Sequence, residues 1–146
     1  MAKTKLILSD TEAAAYVKYL TGFSNMSTVS QVFIGLGNMA NGVFTEITPT
    51  ADNNYARVLV KQTSGSYPDL LTQSGRTVVN KEQIVFNKVL KTAYTANAIG
   101  LYRSASGGTP YAYGALDPAL TASVGSLPMF ERQQLQLVIP DGTETD

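Results

Sequence analysis

Apolar and polar residues alternate along much of this chain, most clearly across residues 98–116, AIGLYRSASGGTPYAYGAL. Ile99 and Leu101 alternate with Gly100 and Tyr102. Further on, Tyr111, Tyr113 and Ala115 fall on one face, and Ala112, Gly114 and Leu116 on the other. A period of two sends successive side chains to opposite faces of a sheet. The stretch therefore predicts a hairpin with its loop at Ser104–Pro110. Gly107 and Gly108 permit positive φ there, and Pro110, with no N–H to give a ladder, suits the start of an outer strand.

The same pattern predicts strands over Gln31–Leu36, Val43–Ile47, Asn54–Gln62, Thr77–Asn80, Glu82–Phe86 and Met129–Ile139. Ile84, Phe86, Ile99, Leu101, Leu135 and Leu137 are the expected centre of the core. Gly37–Gly42 and Thr48–Asn54 carry turn chemistry, Ser64–Gly75 reads as a connection, and Asp117–Pro128, with two prolines and a glycine, as a long loop. Residues 87–97 fit either one helical turn or an irregular crossing. Near the start, Ser9-Asp10-Thr11-Glu12 has capping-box spacing before an alanine-rich run that Gly22 can end, which predicts a helix over about 9–21. Ala13, Tyr16 and Leu20 form its apolar stripe. About eight short strands and one N-terminal helix point to a mainly β fold, an antiparallel β-sandwich or jelly-roll-like barrel. One domain spans 1–140, and the acidic residues 141–146 are expected to be a loose, flexible tail.

Composition narrows the function. The chain of 146 residues has 44% hydrophobic residues, suited to one globular core. Eleven basic and eleven acidic residues cancel, so neither a nucleic-acid footprint nor an acidic partner surface is expected. No apolar run approaches the roughly 20 residues of a membrane span, and Leu6–Leu8 is too short for a signal peptide core. There is no histidine and no cysteine. Thiol catalysis, Ser-His-Asp catalysis, disulfides and Cys/His zinc sites are thereby excluded, and the commonest general base near neutral pH is missing. No enzyme activity, cofactor or metal is expected.

The remaining candidate motifs are weak. Gly35-Leu36-Gly37 lacks the spacing and the following helix of a dinucleotide fingerprint. Asp52-Asn53-Asn54 has oxygen ligands but not the glycine and distal glutamate of a calcium loop, and reads as an Asx turn. Lys81-Glu82 and Glu131-Arg132 read as solvated charges, and Lys88 with Lys91 falls far short of a phosphate-binding stripe. Arg57 and Arg103 sit in strand patterns, where pairing with a carboxylate at an edge or subunit contact is the expected role. Tyr16 and Tyr19 on the helix, and Tyr102, Tyr111 and Tyr113 on the hairpin, offer interface material, since tyrosine brings large area with a polar tip. The alternative use of these rings is filling the monomer core.

The order of short motifs along the chain resembles a family of small tailed-bacteriophage structural proteins, described as tail-fibre-like or virion proteins. The motifs are Leu8-Ser9-Asp10 at the helix, the strand VFIGL, Thr45-Glu46-Ile47, Asn54-Tyr55-Ala56-Arg57, Val79-Asn80 before Ile84-Val85-Phe86, Ile99-Gly100-Leu101-Tyr102, Gly107-Gly108, Tyr113-Gly114-Ala115-Leu116 and a closing LQLVIP. Their succession covers nearly the whole chain. Three departures stand out: Asn54 occupies the place of a glycine before Tyr-Ala-Arg, the tryptophan before the hairpin is missing, and Ser64–Gly75 is an insertion. The resemblance implies a virion component without chemistry of its own, made in the bacterial host cytoplasm. Its expected role is a head decoration or head-fibre base protein, with a neck, collar or tail-fibre attachment subunit as the alternative. Expected partners are itself, as a ring or trimer, and capsid, neck or tail proteins, with residues 104–110 near an exposed rim. A different class is a small carbohydrate-binding β-sandwich, with Tyr55, Tyr102, Tyr111 and Tyr113 stacking on sugar rings.

Overall fold

The computed structural model describes residues 1–140; the tail at 141–146 lies outside them. In chain order the elements are β1 (Thr4–Lys5), β2 (Ile7–Leu8), α1 (Asp10–Leu20), β3 (Gln31–Ala40), β4 (Val43–Glu46), β5 (Val58–Gln62), β6 (Leu71–Ser74), β7 (Thr77–Asn80), β8 (Ile84–Val85), β9 (Tyr94–Tyr102), β10 (Ala112–Ala122), β11 (Met129–Phe130) and β12 (Gln136–Val138). The fold is mainly β with one helix, as the alternation predicts. One sheet runs β2-β10-β9-β3-β4, with β5 also on β3; a second runs β1-β12-β7-β6; β8 and β11 pair separately. Among the described residues every ladder is antiparallel except β1 with β12, which lie parallel.

The register explains the core. In the larger sheet Ile34, Leu101 and Ala112 lie abreast, as do Leu36, Ile99 and Gly114. This face meets the smaller sheet, and Gly114 leaves no room for a side chain because the β1 backbone at Lys5 crosses directly above it. Ile34, Leu36, Ile84, Phe86, Ile99, Leu101, Phe130, Leu135 and Leu137 form one buried cluster, which contains all six residues expected there. The description as a β-sandwich fits this arrangement. Asn80, also buried, links β7 to the segment before β12: its amide donates to the carbonyls of Glu82 (2.8 Å) and Glu131 (2.6 Å), and its oxygen accepts from the Leu135 N–H (2.9 Å).

Several boundaries differ from the sequence pattern. The 31–36 strand runs on through Ala40, and only Asn41 and Gly42, both with positive φ, make the turn. That is the Asn-Gly signature of a two-residue hairpin. Residues 54–57 are not strand. The 71–74 part of the expected connection is β6, and the undecided residues 94–97 belong to β9. The hairpin strand also continues into the expected loop, with β10 resuming its pairing at Leu120–Ala122. The register shifts between Ala115 and Leu120, where Pro118 has no N–H for the ladder.

α1 starts where expected. The Ser9 hydroxyl accepts from the Glu12 N–H at 3.2 Å. The reciprocal half of the capping box is absent, because the Ser9 N–H donates to the Tyr111 carbonyl (3.0 Å) and the Glu12 carboxylate turns to Arg103. α1 buries none of its residues.

Candidate functional site

On the larger sheet's other face, residues from four separate stretches converge. An Asx turn prepares the site. Asn53 Oδ1 accepts from the N–H groups of Thr50 (3.0 Å) and Tyr55 (2.9 Å), and its amide donates to the Thr48 carbonyl (2.9 Å). The expected turn at 52–54 therefore forms, with the Asn53 and Asn54 side chains committed to the backbone. Asn54 then adopts φ 57°. Asparagine is among the few non-glycine residues that tolerate this region, so it can stand where the resemblance implies a glycine. The chain emerges with Tyr55 pointing inward and Arg57 lying along the sheet.

Arg57 grips Glu46 with two hydrogen bonds, Nε to Oε2 and Nη2 to Oε1, both 2.8 Å. The Tyr55 hydroxyl donates to Glu46 Oε2 at 2.6 Å and accepts from the Leu36 N–H at 2.8 Å. Arg57 Nη1 donates to the Ser104 carbonyl (2.9 Å), and the guanidinium carbon lies 3.4 Å from the centre of the Tyr102 ring. The side chain of Arg57 is 3% exposed and that of Glu46 21%. Gly35 makes this closeness possible: a Cβ there would come within 2.9 Å of Tyr102, the Tyr55 hydroxyl and Glu46 Oε2.

The electrostatics describe a clasp. Burial alone would raise the Glu46 carboxyl, but the hydrogen bonds from Arg57 and Tyr55, with the Arg57 charge, outweigh it and hold the group below its ordinary value. The hydrogen bonds to Glu46 hold Arg57 protonated more firmly still, against the opposing effect of its burial. Burial, reinforced by the Glu46 carboxylate, drives the Tyr55 hydroxyl upward, and burial pushes Tyr102 up to about 12. An ionised carboxylate saturated by donors is a poor proton acceptor, and a guanidinium does not deprotonate. The cluster ties β4, the 55–57 segment, the end of β9 and the root of the 104–110 loop together. A cleft of about 300 Å³ lies beside it, lined by Glu46, Pro49, Arg57, Ser106, Gly107 and Gly108.

The second arginine forms a smaller clasp. Arg103 Nη2 reaches both carboxylate oxygens of Glu12, at 2.7 and 3.0 Å, and its guanidinium lies 4.5 Å from the Tyr111 ring centre. Burial pushes Tyr111 up to about 12. Both arginines thus pair with carboxylates, and both partners lie in the same chain. Of the tyrosines singled out by sequence, Tyr102 is buried under Arg57. Tyr111 and Tyr113 are half-buried, Tyr113 stacking on Phe44 with ring centres 5.9 Å apart. Tyr16 and Tyr19 are exposed on α1. The five are not brought together. With Tyr55 and Tyr102 both buried, the four-tyrosine platform for a sugar does not exist. Glu46 and Gly35 escaped the sequence reading, and no local pattern marks them, because β4 and β5 meet the site only through their separate pairing with β3.

Elsewhere a wider cleft of about 880 Å³ lies among Tyr67, Asp69, Glu82, Gln83, Glu131 and Arg132. Two of its carboxylates are engaged: Asp69 by Lys61 (3.0 Å) and Lys81 (3.1 Å), and Glu131 by Gln83 (2.7 Å). Among the described residues no cluster of three or more acidic side chains could hold a metal, and no helix is long and apolar enough to cross a membrane.

Residues 7–138 match the sequence model of a family described as podophage GP4 fiber I protein gp80. No curated protein matches the chain.

Proposed function

The chain belongs to the podophage GP4 fiber I protein gp80 family, a family of phage virion structural proteins, and on that premise we propose that it is a non-enzymatic subunit at the base of a head fibre or decorating the head. Residues 1–140 act as one β-sandwich unit in this reading. It works by contact, with further copies of itself in a ring or trimer and with capsid proteins, after synthesis in the host cytoplasm. The observation that carries the reading is the family match over residues 7–138, and the two clasps agree with it. Arg57–Glu46 and Arg103–Glu12 hold the 104–110 loop and the helix to a rigid sheet, as a load-transmitting part requires. A place at the neck, collar or tail-fibre attachment demands the same chemistry, and the family's description as a fibre protein is what favours it as the second reading.

Purified virions test the assignment. The chain is expected among their proteins by mass spectrometry, and antibody labelling is expected on the head. Label at the neck or tail moves the subunit to the second reading. Absence from washed particles overturns both.

A further inference from the structure

Residues 16–28 are exposed without interruption. They comprise the second half of α1 and the segment leading back towards β3, and together they form an arm. It exposes six large apolar side chains among polar ones: Tyr16, Val17, Tyr19, Leu20, Phe23 and Met26 all stand open, Leu20 at 64% and Phe23 at 83%. Lys18 is the arm's single charged residue. The start of the helix is tied to the body by the Ser9 N–H, which donates to the Tyr111 carbonyl (3.0 Å), and by the Glu12–Arg103 pair.

Such an arm is incomplete by itself on two physical grounds. An isolated helix below roughly 12–15 residues is marginal in water, and most helical stability comes from packing an apolar face; α1 has 11 residues and buries none. Its end is also a Schellman motif: the Phe23 N–H bonds the Lys18 carbonyl (2.8 Å), the Gly22 N–H bonds the Tyr19 carbonyl (3.3 Å), and Gly22 has φ 81°. That motif commonly carries a hydrophobic contact from the residue in the place of Phe23. Here Phe23 projects into solvent.

We propose that the arm packs against the same arm of a second copy of this chain, about a rotational axis; the inference rests on the virion-subunit reading and gives its self-contact a location. Three observations favour this occupant. Rotational symmetry sets identical patches against each other, and an apolar patch is complementary to itself where a charged one is not. Packing two arms desolvates one lysine per copy, and a chain with no net charge adds little repulsion. The exposed parts of the three aromatic rings come to on the order of 350 Å². Val17, Leu20 and Met26 extend this towards the roughly 800 Å² that each partner gives a standard interface.

The full chain tests the inference in two ways. In sedimentation velocity the wild type is expected at a multiple of its 15.6 kDa mass. Leu20→Asp, on an exposed side chain, is expected at the single-chain mass with an unchanged β-type circular dichroism spectrum. The chain has no cysteine, so Phe23→Cys introduces one thiol; mild oxidation is expected to give covalent pairs, and the exposed Val124→Cys control none. A wild type that sediments as a single chain at its highest soluble concentration overturns the inference, as does a Leu20→Asp variant that keeps the wild-type mass or a Phe23→Cys variant no more cross-linked than the control. The virion experiment reads separately: a single chain still present in particles removes the arm contact and leaves the virion assignment standing, and a multimer absent from particles does the reverse.

Discussion

Replacing Glu46 by Gln keeps the side chain's shape and removes its charge, so the clasp can be interrogated without opening a cavity. Three donors aim at the Glu46 carboxylate: Arg57 Nε, Arg57 Nη2 and the Tyr55 hydroxyl. A glutamine offers one acceptor oxygen and an NH₂ group that is itself a donor. With its oxygen in the place of Oε2, the Arg57 Nε and Tyr55 bonds survive, but Arg57 Nη2 then faces a donor; the flipped amide loses more. The larger loss is the counter-charge for a guanidinium side chain only 3% exposed. Breaking a buried pair by removing one partner costs about 3–5 kcal/mol. Glu46 is 21% exposed, so some water reaches the site, and the expected cost is at the lower end, about 3 kcal/mol. With a urea m-value of about 1–3 kcal/mol/M, the midpoint should fall by on the order of 1–3 M. Urea titration followed by far-UV circular dichroism measures it. Pairing Glu46→Gln with Arg57→Met removes the stranded charge, so the double variant should cost less than the two single changes together. A Glu46→Gln loss under about 1 kcal/mol, the range of an exposed ion pair, or strict additivity in the double variant, would refute the clasp.

Four further outcomes are expected. Ser9→Ala should cost about 1 kcal/mol through loss of the acceptor for the Glu12 N–H, seen as a lower urea midpoint; an unchanged midpoint would mean that the cap contributes nothing. Tyr55→Phe should cost about 1–3 kcal/mol, because the Leu36 N–H and Glu46 lose a partner. Tyr94→Phe should be neutral or slightly stabilising, since that hydroxyl is buried without a partner among the described residues while its ring still meets Tyr55 edge-on; equal losses in both would contradict the network. The depressed carboxyl of Glu46 contributes stability that is present above its ordinary value of 4.5 and lost as pH falls through its lower folded value. The melting temperature should therefore drop below about pH 4.5, and Glu46→Gln should flatten that acid limb; parallel wild-type and variant curves would exclude Glu46 as its source.

Period-two alternation made the central strands readable, because β3, β9 and the first half of β10 each have one face in the core. It failed where that condition failed. β6 reads Leu-Thr-Gln-Ser and keeps three of its four residues exposed, so no apolar rhythm marks it. β1, β2, β8 and β11 have two residues each, too few to define a period. Asp117 and Pro118 read as breakers, and the chain accommodates them as a register shift inside a continuing strand. The helix was legible through Ser9 and Gly22, but its exposure was not: Ala13, Tyr16 and Leu20 make an apolar stripe whether or not anything lies beneath. The pairing of Arg57 with a carboxylate was expected from an alternating pattern, although Arg57 itself lies just before β5, which starts at Val58. That the partner is Glu46, with Tyr102 beneath, depends on which strands lie adjacent, and short-range pattern carries no such information.

The parallel pairing of β1 with β12 has a consequence for timing. Thr4 and Lys5 lie beside Leu137 and Val138, so β1 leaves the ribosome long before the β12 strand it pairs with has been made. β2 likewise waits for Ala112 and Tyr113. Contacts between such distant positions are slow to form, since the chain must close a long loop before gaining from them. The smaller sheet is therefore joined late, when β12 enters between β1 and β7, and a nascent chain stopped short of residue 136 leaves the β7 edge open to its neighbours.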